Sequence, residues 1–174
     1  MRQLDNAPTL VTCQLFRYAV GVTEPRWLDE RERNAWRGFL DMHAQLSARL
    51  HRQLQEEAGL SLADFEVLVH LTDQPEPRMR IGELATAMQW EKSRLSHHIG
   101  RMQRRELVAR EDCPSDARGA FIALTEQGRA VIERAAPAHV TAVREWVFDQ
   151  LSSEQVAALA AISENVVRRL NGRD

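Results

Sequence analysis

The residues with the clearest capacity for chemistry lie in one basic stretch, EKSRLSHHIGRMQRREL, from Glu91 to Leu107. From Lys92 to Arg105 it carries five cationic side chains, two histidines and no carboxylate, although the whole chain has a formal net charge of −2. Arginine can bind guanine or phosphate through two hydrogen bonds, and serine and histidine bind bases or phosphates. Because association with nucleic acid depends on local potential, this stretch predicts a nucleic-acid contact.

Helical periodicity divides the stretch into two faces. At about 100° per residue, Leu95, Ile99 and Met102 share one side. The other side carries Ser93, Arg94, His97, Arg101 and Arg104. The alternative is that this face is charged only because it is exposed to solvent. The preference for arginine, with Lys92 as the only lysine, is also explained by GC-rich codon usage. The single sign of charge and the neighbouring elements favour DNA reading.

The elements that must position this stretch are mostly helical. Apolar spacing predicts a long helix from Trp27 to about Gly59 and a second one capped by Ser61 and stopped by Pro75 and Pro77. A short helix over 81–88 and the basic helix follow, joined by about four residues, which is helix-turn-helix spacing. A helix from Thr125 to about Gln150, bent near Pro137, and a last one capped by Ser152 complete the chain.

Two short segments of strand character, 108–111 and 121–124, flank the polar sequence DCPSDARGA. They predict a β-hairpin directly after the basic helix. Asp116 and Arg118 are expected to pair across its tip and to hold the guanidinium outward, toward a minor groove. The alternative is an ordinary polar hairpin.

These elements predict a mainly α fold with a small β-hairpin wing, formed by a winged helix-turn-helix lobe and a helical dimerisation region. We expect a weakly ordered leader at residues 1–25, a first dimerisation helix at 26–60, the DNA-binding region at 61–126 and C-terminal dimerisation helices at 127–174. The alternative for residues 1–21 is that a mis-set translation start added them. Apolar stripes on the long terminal helices favour a homodimer over an intramolecular bundle.

The run from Ile81 to Gly128 resembles the multiple antibiotic resistance regulator (MarR) family. The similar pieces are GELATAM, then SRLSHHIGRMQRRELV, then DCPSDARGAFIALTEQGR with its Asp-x-Arg wing and Leu-Thr-x-x-Gly continuation. The resemblance extends over roughly residues 27–170. Two departures are Glu106, where the family commonly has glycine, and a wing with Cys113 and the single arginine Arg118.

The resemblance implies an obligate homodimer that reads a palindromic operator, commonly as a repressor, and that a small molecule releases. Carried over by position, it implies base contacts from Ser93, Arg94, Ser96 and His97. It implies phosphate contacts from Lys92, His98 and Arg101, and a minor-groove contact from Arg118. Arg105, which also lies off the central line of the basic helix, is a further expected phosphate contact.

A ligand site is expected on the first two helices, near the pocket that this family usually has. Trp36, His43 and His70 are the residues we expect to contact a planar aromatic effector, although core packing is the alternative for each. A second hypothesis is thiol-based redox sensing by the N-terminal Cys13 or the wing residue Cys113. A third is a winged-helix module that binds only proteins.

Enzyme classes find little support. The sequence has no Gly-x-Ser-x-Gly elbow, no phosphate-binding glycine loop and no His-Glu-x-x-His motif, and neither a metal site nor a cofactor is expected. No apolar run reaches the ~20 residues that span a bilayer, and the start lacks the features of a secretory signal. With only two cysteines, a cytoplasmic location is expected.

Overall fold

A computed structural model describes residues 25–113 and 116–172, with side chains described for 25–112 and 120–172. The expected leader, including Cys13, therefore lies almost wholly outside the described residues. The chain divides into two compact units, residues 1–39 and 40–174. In the described parts, no helix is both long and apolar enough to cross a membrane.

The described part of the first unit holds the start of helix α1, which spans Glu30–Ala58. Its first turn is closed by reciprocal hydrogen bonds, since Asp29 Oδ1 accepts from the Glu32 backbone N–H and Glu32 Oε2 accepts from the Asp29 N–H. This arrangement satisfies two donors at the helix start. Further along, the rings of Trp36 and Phe39 stack with centroids 5.7 Å apart.

In the second unit, three helices supply most of the buried apolar side chains of the core. They are α2 at Leu62–Thr72, α3 at Ile81–Ala87 and α4 at Lys92–Arg104. The predicted Ser61 cap is confirmed, because its hydroxyl accepts from the Asp64 backbone N–H while the Asp64 carboxylate accepts from the Ser61 N–H. The largest fully buried side chains are Leu54, Leu60, Val67, Leu68, Leu71, Leu84, Leu95, Ile99, Met102 and Ile122.

The predicted hairpin is present and longer than expected. Strand β2 spans Val108–Cys113 and β3 spans Asp116–Leu124. A third strand, β1 at Arg78–Arg80, pairs antiparallel with β3, so the sheet order is β1-β3-β2. The predicted element order omitted β1. A three-residue strand has too little alternation to be recognised, and its partner lies about 40 residues further along the chain.

The Leu-Thr-x-x-Gly sequence has a packing role at the start of helix α5, which spans Glu126–Trp146. The hydroxyl of Thr125 accepts from the Gly128 backbone N–H and donates to the Glu106 carbonyl oxygen. A Cβ at Gly128 would overlap the Leu107 carbonyl oxygen. Glycine is therefore required there by close approach of two backbone segments.

The C-terminal helices leave a large apolar surface uncovered in the single chain. Helix α5 contains Pro137 and ends at Trp146, before the predicted Gln150; a 3₁₀ turn at Phe148–Gln150 then leads to α6 at Ser153–Leu170. Every residue of α6 is at least partly exposed. Its exposed large apolar side chains are Leu159, Ile162, Val166, Val167 and Leu170. A soluble monomer rarely leaves such a stripe open.

Candidate nucleic-acid interface

Helix α4 has the two faces that its sequence predicts. Leu95, Ile99 and Met102 are buried in the core, so the helix is fixed along one side. The opposite side exposes Ser93, Arg94 and His97, and Lys92 and Arg101 are exposed beside them; Ser96 is half-buried. An α-helix with exposed donors fits the major groove of B-DNA.

The turn between α3 and α4 sets the start of the basic helix. The Trp90 N–H donates to the Ala85 carbonyl oxygen at 2.9 Å, and the Gln89 N–H donates to Thr86 O at 3.1 Å. This pair of bonds is a Schellman motif, and its central residue, Gln89, has a left-handed φ of 54°. A shallow open pocket at the turn is lined by Gly82, Ala85, Thr86, Gln89, Trp90, Glu91 and Lys92.

The arginine expected to read bases is stacked on this turn. The guanidinium carbon of Arg94 lies 3.9 Å from the centroid of the Trp90 ring. Trp90 is half-buried and meets the ring of His98 edge to face, with centroids 5.4 Å apart and an interplanar angle of 77°. Arg94 therefore lies over one aromatic ring, which a second ring contacts in turn.

His98 corrects one of the expected phosphate contacts. Its residue is only 5% exposed, so the prediction that it contacts phosphate is wrong. Nε2 lies 3.0 Å from Oδ1 of Asp64, a close polar contact without the alignment of a full hydrogen bond. Arg101 Nη2 lies 2.8 Å from Nδ1. Because a guanidinium only donates, Nδ1 accepts and the ring proton lies on Nε2, facing Asp64.

Asp64 is a buried carboxylate that joins α2 to α4. Besides His98 and the Ser61 N–H, it accepts a hydrogen bond from Arg105 Nη1 at 2.8 Å. Burial alone would raise the pKa of Asp64, but the contact with His98 and the hydrogen bonds from Ser61 and Arg105 hold it well below its usual range. The carboxylate is thus ionised in the folded protein at neutral pH.

Arg105 has a structural contact that its sequence position did not reveal. Its Nη2 donates to the Gly59 carbonyl oxygen at 2.6 Å, while Nη1 binds Asp64. The side chain therefore ties the end of α4 to the segment that links α1 and α2. It remains 42% exposed, and a phosphate contact stays a prediction for it as for Arg101 and Lys92.

The wing is described mainly by its backbone. Asp116 and Arg118 belong to β3 and Cys113 ends β2, whereas their side chains lie outside the described part, so their predicted roles stay predictions. On the neighbouring strand β1, two arginines that sequence reasoning did not single out lie over Phe121. The guanidinium carbons of Arg78 and Arg80 are 5.1 and 5.3 Å from its ring centroid.

The expected ligand residues lie on α1 and α2. Trp36 belongs to the first unit, where it stacks on Phe39. In the second unit, His43 is exposed on α1 and His70 is half-buried at the end of α2. A further histidine on α5, His139, packs its ring 4.4 Å from that of Phe65, and its buried Nδ1 has no hydrogen-bond partner among the described residues. Burial lowers the pKa of His139.

Sequence reasoning missed Trp90 and the second role of Asp64. Helical spacing did not indicate the contact of Trp90 with Arg94, because Trp90 lies outside α4, which begins at Lys92. Asp64 was recognisable only as a capping residue. Its partners His98 and Arg105 lie 34 and 41 positions further along the chain, and no local pattern indicates such contacts.

A family model and solved structures agree on what the chain is similar to. The model described as the MarR family matches residues 58–119. The crystal structure of AbsC, a MarR family transcriptional regulator from Streptomyces coelicolor, is 41% identical and superimposes with a TM-score of 0.81 over 85% of this chain and 99% of that one.

A second MarR family transcriptional regulator from the same organism was solved in complex with DNA. It is 43% identical, with a TM-score of 0.81 over 84% of this chain and 92% of that chain. An uncharacterized HTH-type transcriptional regulator from Bacillus cereus is 29% identical over 121 residues, which are 69% of this chain and 78% of the relative.

Proposed function

The chain belongs to the MarR family of transcriptional regulators, and we propose that it binds a palindromic operator as a homodimer and represses transcription until a small molecule releases it. The observation that carries the proposal is the exposed side of α4. Its Ser93, Arg94 and His97 side chains are free of the core while Leu95, Ile99 and Met102 hold the helix in place. A 43% identical relative solved with DNA supports this use of the fold.

In this proposal, base and phosphate contacts come from different parts of the lobe. Ser93, Arg94, Ser96 and His97 contact bases in the major groove. Lys92 and Arg101 contact phosphates, and the positive end of the α4 dipole adds to the attraction at Lys92. The wing, with Asp116 orienting Arg118, reaches the minor groove.

The uncovered apolar surface supports the proposed homodimer. Ile162 and Leu170 of α6 are 61% and 79% exposed in the single chain, and the exposed Val140 of α5 adds to that surface. Covering this surface would favour association by about 25 cal/mol per Å² of buried apolar area. The proposal assigns the surface to a second copy of the chain. A twofold axis places the two α4 helices in successive major grooves, about 34 Å apart.

Release by a small molecule is the regulatory part of the proposal. The predicted contacts remain Trp36, His43 and His70. His139 supports a site between α2 and α5, because its buried unpaired Nδ1 next to Phe65 suits an aromatic ligand with one hydrogen-bond donor. A ligand that favours a spacing of α4 helices unlike that of the operator would weaken DNA binding by reciprocal coupling. Action on chromosomal DNA gives the protein a cytoplasmic location.

The direct test is fluorescence anisotropy of the full chain with a labelled duplex from the upstream region of its own gene, at two salt concentrations. We expect preference over a scrambled duplex and weaker binding at higher salt. Arg94→Ala should cost about 1–3 kcal/mol in affinity for the specific duplex. Arg134→Ala, at an exposed arginine of α5, is the matched control and should change little.

A module that binds only proteins would behave differently. It would show no salt-dependent DNA binding, and Arg94→Ala would match Arg134→Ala. The proposal that α4 reads sequence would be contradicted if the specific and scrambled duplexes bound with equal affinity and Arg94→Ala changed neither affinity.

A further inference from the structure

Trp90 lies where it can control the arginine that the proposed function assigns to base reading. It ends the turn before α4, and its ring face lies 3.9 Å from the guanidinium carbon of Arg94. Trp90 lies two positions before the first residue of α4, and Arg94 belongs to the first turn of that helix. The contact therefore forms within the recognition element itself and precedes any contact with DNA.

Stacking of this kind orients arginine without occupying its donors. A guanidinium over an aromatic ring uses its planar face, whereas its N–H groups point outward from the edges. Guanine is bound through two of those edge donors. A stacked Arg94 thus keeps the donors that base reading needs and has already lost part of its rotational freedom.

The ring of Trp90 is itself held in place. Its edge contact with His98 rests on a histidine fixed between Asp64 and Arg101. The Trp90 backbone N–H is bound to Ala85 O, which fixes the start of its side chain. Trp90 is thus a half-buried residue that is restrained by its backbone hydrogen bond and by one ring contact.

We propose that Trp90 is a positioning residue for Arg94, and that discrimination at the base pair read by Arg94 depends on the Trp90 ring. The inference rests on the proposed function, since it requires α4 to enter the major groove. Its chemical content is separate: the stack selects the arginine geometry that binds guanine through two hydrogen bonds. A stack that instead held Arg94 away from DNA would have the opposite effect on binding when removed.

The experiment compares binding of the full chain to its operator and to every single base-pair substitution of one half-site. The variants are Trp90→Leu, Trp90→Phe, Arg94→Ala and the double variant Trp90→Leu/Arg94→Ala. We expect Arg94→Ala to remove roughly tenfold or more of the discrimination at one base pair. Trp90→Leu should remove about two- to tenfold at that same pair and leave the other positions unchanged. The double variant should match Arg94→Ala.

The ratio of two affinities measured on one preparation is insensitive to the folded fraction, because inactive protein lowers both apparent affinities equally. Trp90→Phe keeps a smaller ring and should lose less discrimination than the leucine variant; it replaces that variant if leucine does not fold. Arg104→Ala, at the other end of α4, controls for loss of charge and should lower affinity for all duplexes alike.

Three results would overturn the inference. Arg94→Ala could remove the discrimination at one base pair while the Trp90 variants retain it. The proposed function would then stand, but Trp90 would not position Arg94. Trp90→Leu could tighten operator binding, which would mean that the stack withdraws Arg94 from DNA. If no substitution of the half-site changes binding of the unaltered chain, base reading by α4 fails, and the role of Trp90 fails with it.

Discussion

At the scale of single residues, Asp64 holds together the parts that position the exposed side of α4. It is buried and takes part in the capping box of Ser61 at the start of α2. It also contacts His98 of α4 and Arg105, which follows the last residue of α4. A buried charge with several partners is costly to leave unpaired. The position of α4 therefore depends on one carboxylate from a different helix.

Replacing Asp64 with Asn tests that dependence. The variant removes the carboxylate that faces His98 and accepts a hydrogen bond from Arg105, and we expect a loss of about 1–3 kcal/mol in the free energy of unfolding at pH 7. Urea unfolding at fixed protein concentration measures it. Asp73→Asn, at the exposed end of the same helix, is the control and should change the stability by less than about 0.5 kcal/mol.

The difference in stability between the unaltered chain and Asp64→Asn is also expected to depend on pH. Because the pKa of Asp64 is lowered in the folded state, its stabilisation is fully present above the ordinary value of about 3.9 and is lost as the pH falls below it. The stability difference between the unaltered chain and Asp64→Asn should therefore narrow as the pH falls from 5 toward 3. A difference that widens between pH 5 and pH 3 would contradict the assignment.

The sequence predicts the exposed side of α4 but not the environment of each histidine. The alternation of Leu95, Ile99 and Met102 places Arg94 and His97 outward, and their exposure confirms this. His98 lies only one position from His97, near the boundary between the two faces. Its buried side chain contacts Asp64. Because these two residues are far apart in the chain, the periodicity of α4 does not indicate the contact.

At the scale of elements, two turns carry residues other than glycine in the left-handed region. Glu106 ends α4 in a Schellman motif, with a φ of 57°, and Gln89 ends α3 in the same way. The departure from the family's usual glycine at Glu106 therefore falls on a position whose backbone favours glycine. In both turns, the hydrogen bonds of the Schellman motif hold this residue in the left-handed conformation.

Glu106→Gly should stabilise the protein. Glycine relieves a left-handed cost of about 1–2 kcal/mol and loses part of that gain through greater freedom in the unfolded chain, so about 0.5–1 kcal/mol remains. The urea midpoint measures the change. Glu133→Gly, in the middle of α5, should instead cost about 1 kcal/mol. A lower midpoint for Glu106→Gly would contradict the turn assignment.

Gly128→Ala should have the opposite effect. The added methyl group would meet the Leu107 backbone carbonyl, which no side-chain rotation can clear, so we expect a loss of about 1–3 kcal/mol. Gly100→Ala in α4 has open space and should be neutral or stabilising by up to about 1 kcal/mol. Equal thermal midpoints for the two variants would show that the α5 start is not closely packed.

The helices could be predicted largely because their signals are local. Ser61 and Ser152 each accept a hydrogen bond from the third residue of the following helix, as their sequences predict. Strand β1 could not be predicted, because Arg78–Arg80 becomes a strand only by pairing with β3. The stop of α5 at Trp146 likewise has no proline or glycine to mark it.

At the scale of the whole molecule, the exposed stripe of α6 is the feature that a single chain leaves unexplained. Leu159, Ile162, Val166 and Leu170 recur at spacings of three and four on a helix that buries none of its residues in the single chain. The sequence predicts the stripe from its period. It does not state what covers the stripe, and the proposed homodimer gives it an identical partner.

Ile162→Asp tests that proposal. A carboxylate in a buried apolar interface is strongly unfavourable, so the variant should be monomeric and should lose most of its operator affinity. Sedimentation velocity at several concentrations measures the assembly. Glu164→Gln changes the charge by the same amount on the far side of α6 and should remain dimeric. A dimeric Ile162→Asp protein would assign the interface elsewhere.

Selection of bound sequences from a pool of random duplexes by the full chain tests the central claim most directly. A homodimer that reads DNA through α4 predicts an enriched palindrome whose half-sites are about 10 base pairs apart, with one guanine position lost from the enriched sequence when Arg94→Ala is used. No enriched sequence, or one unchanged in the Arg94→Ala variant, would contradict it.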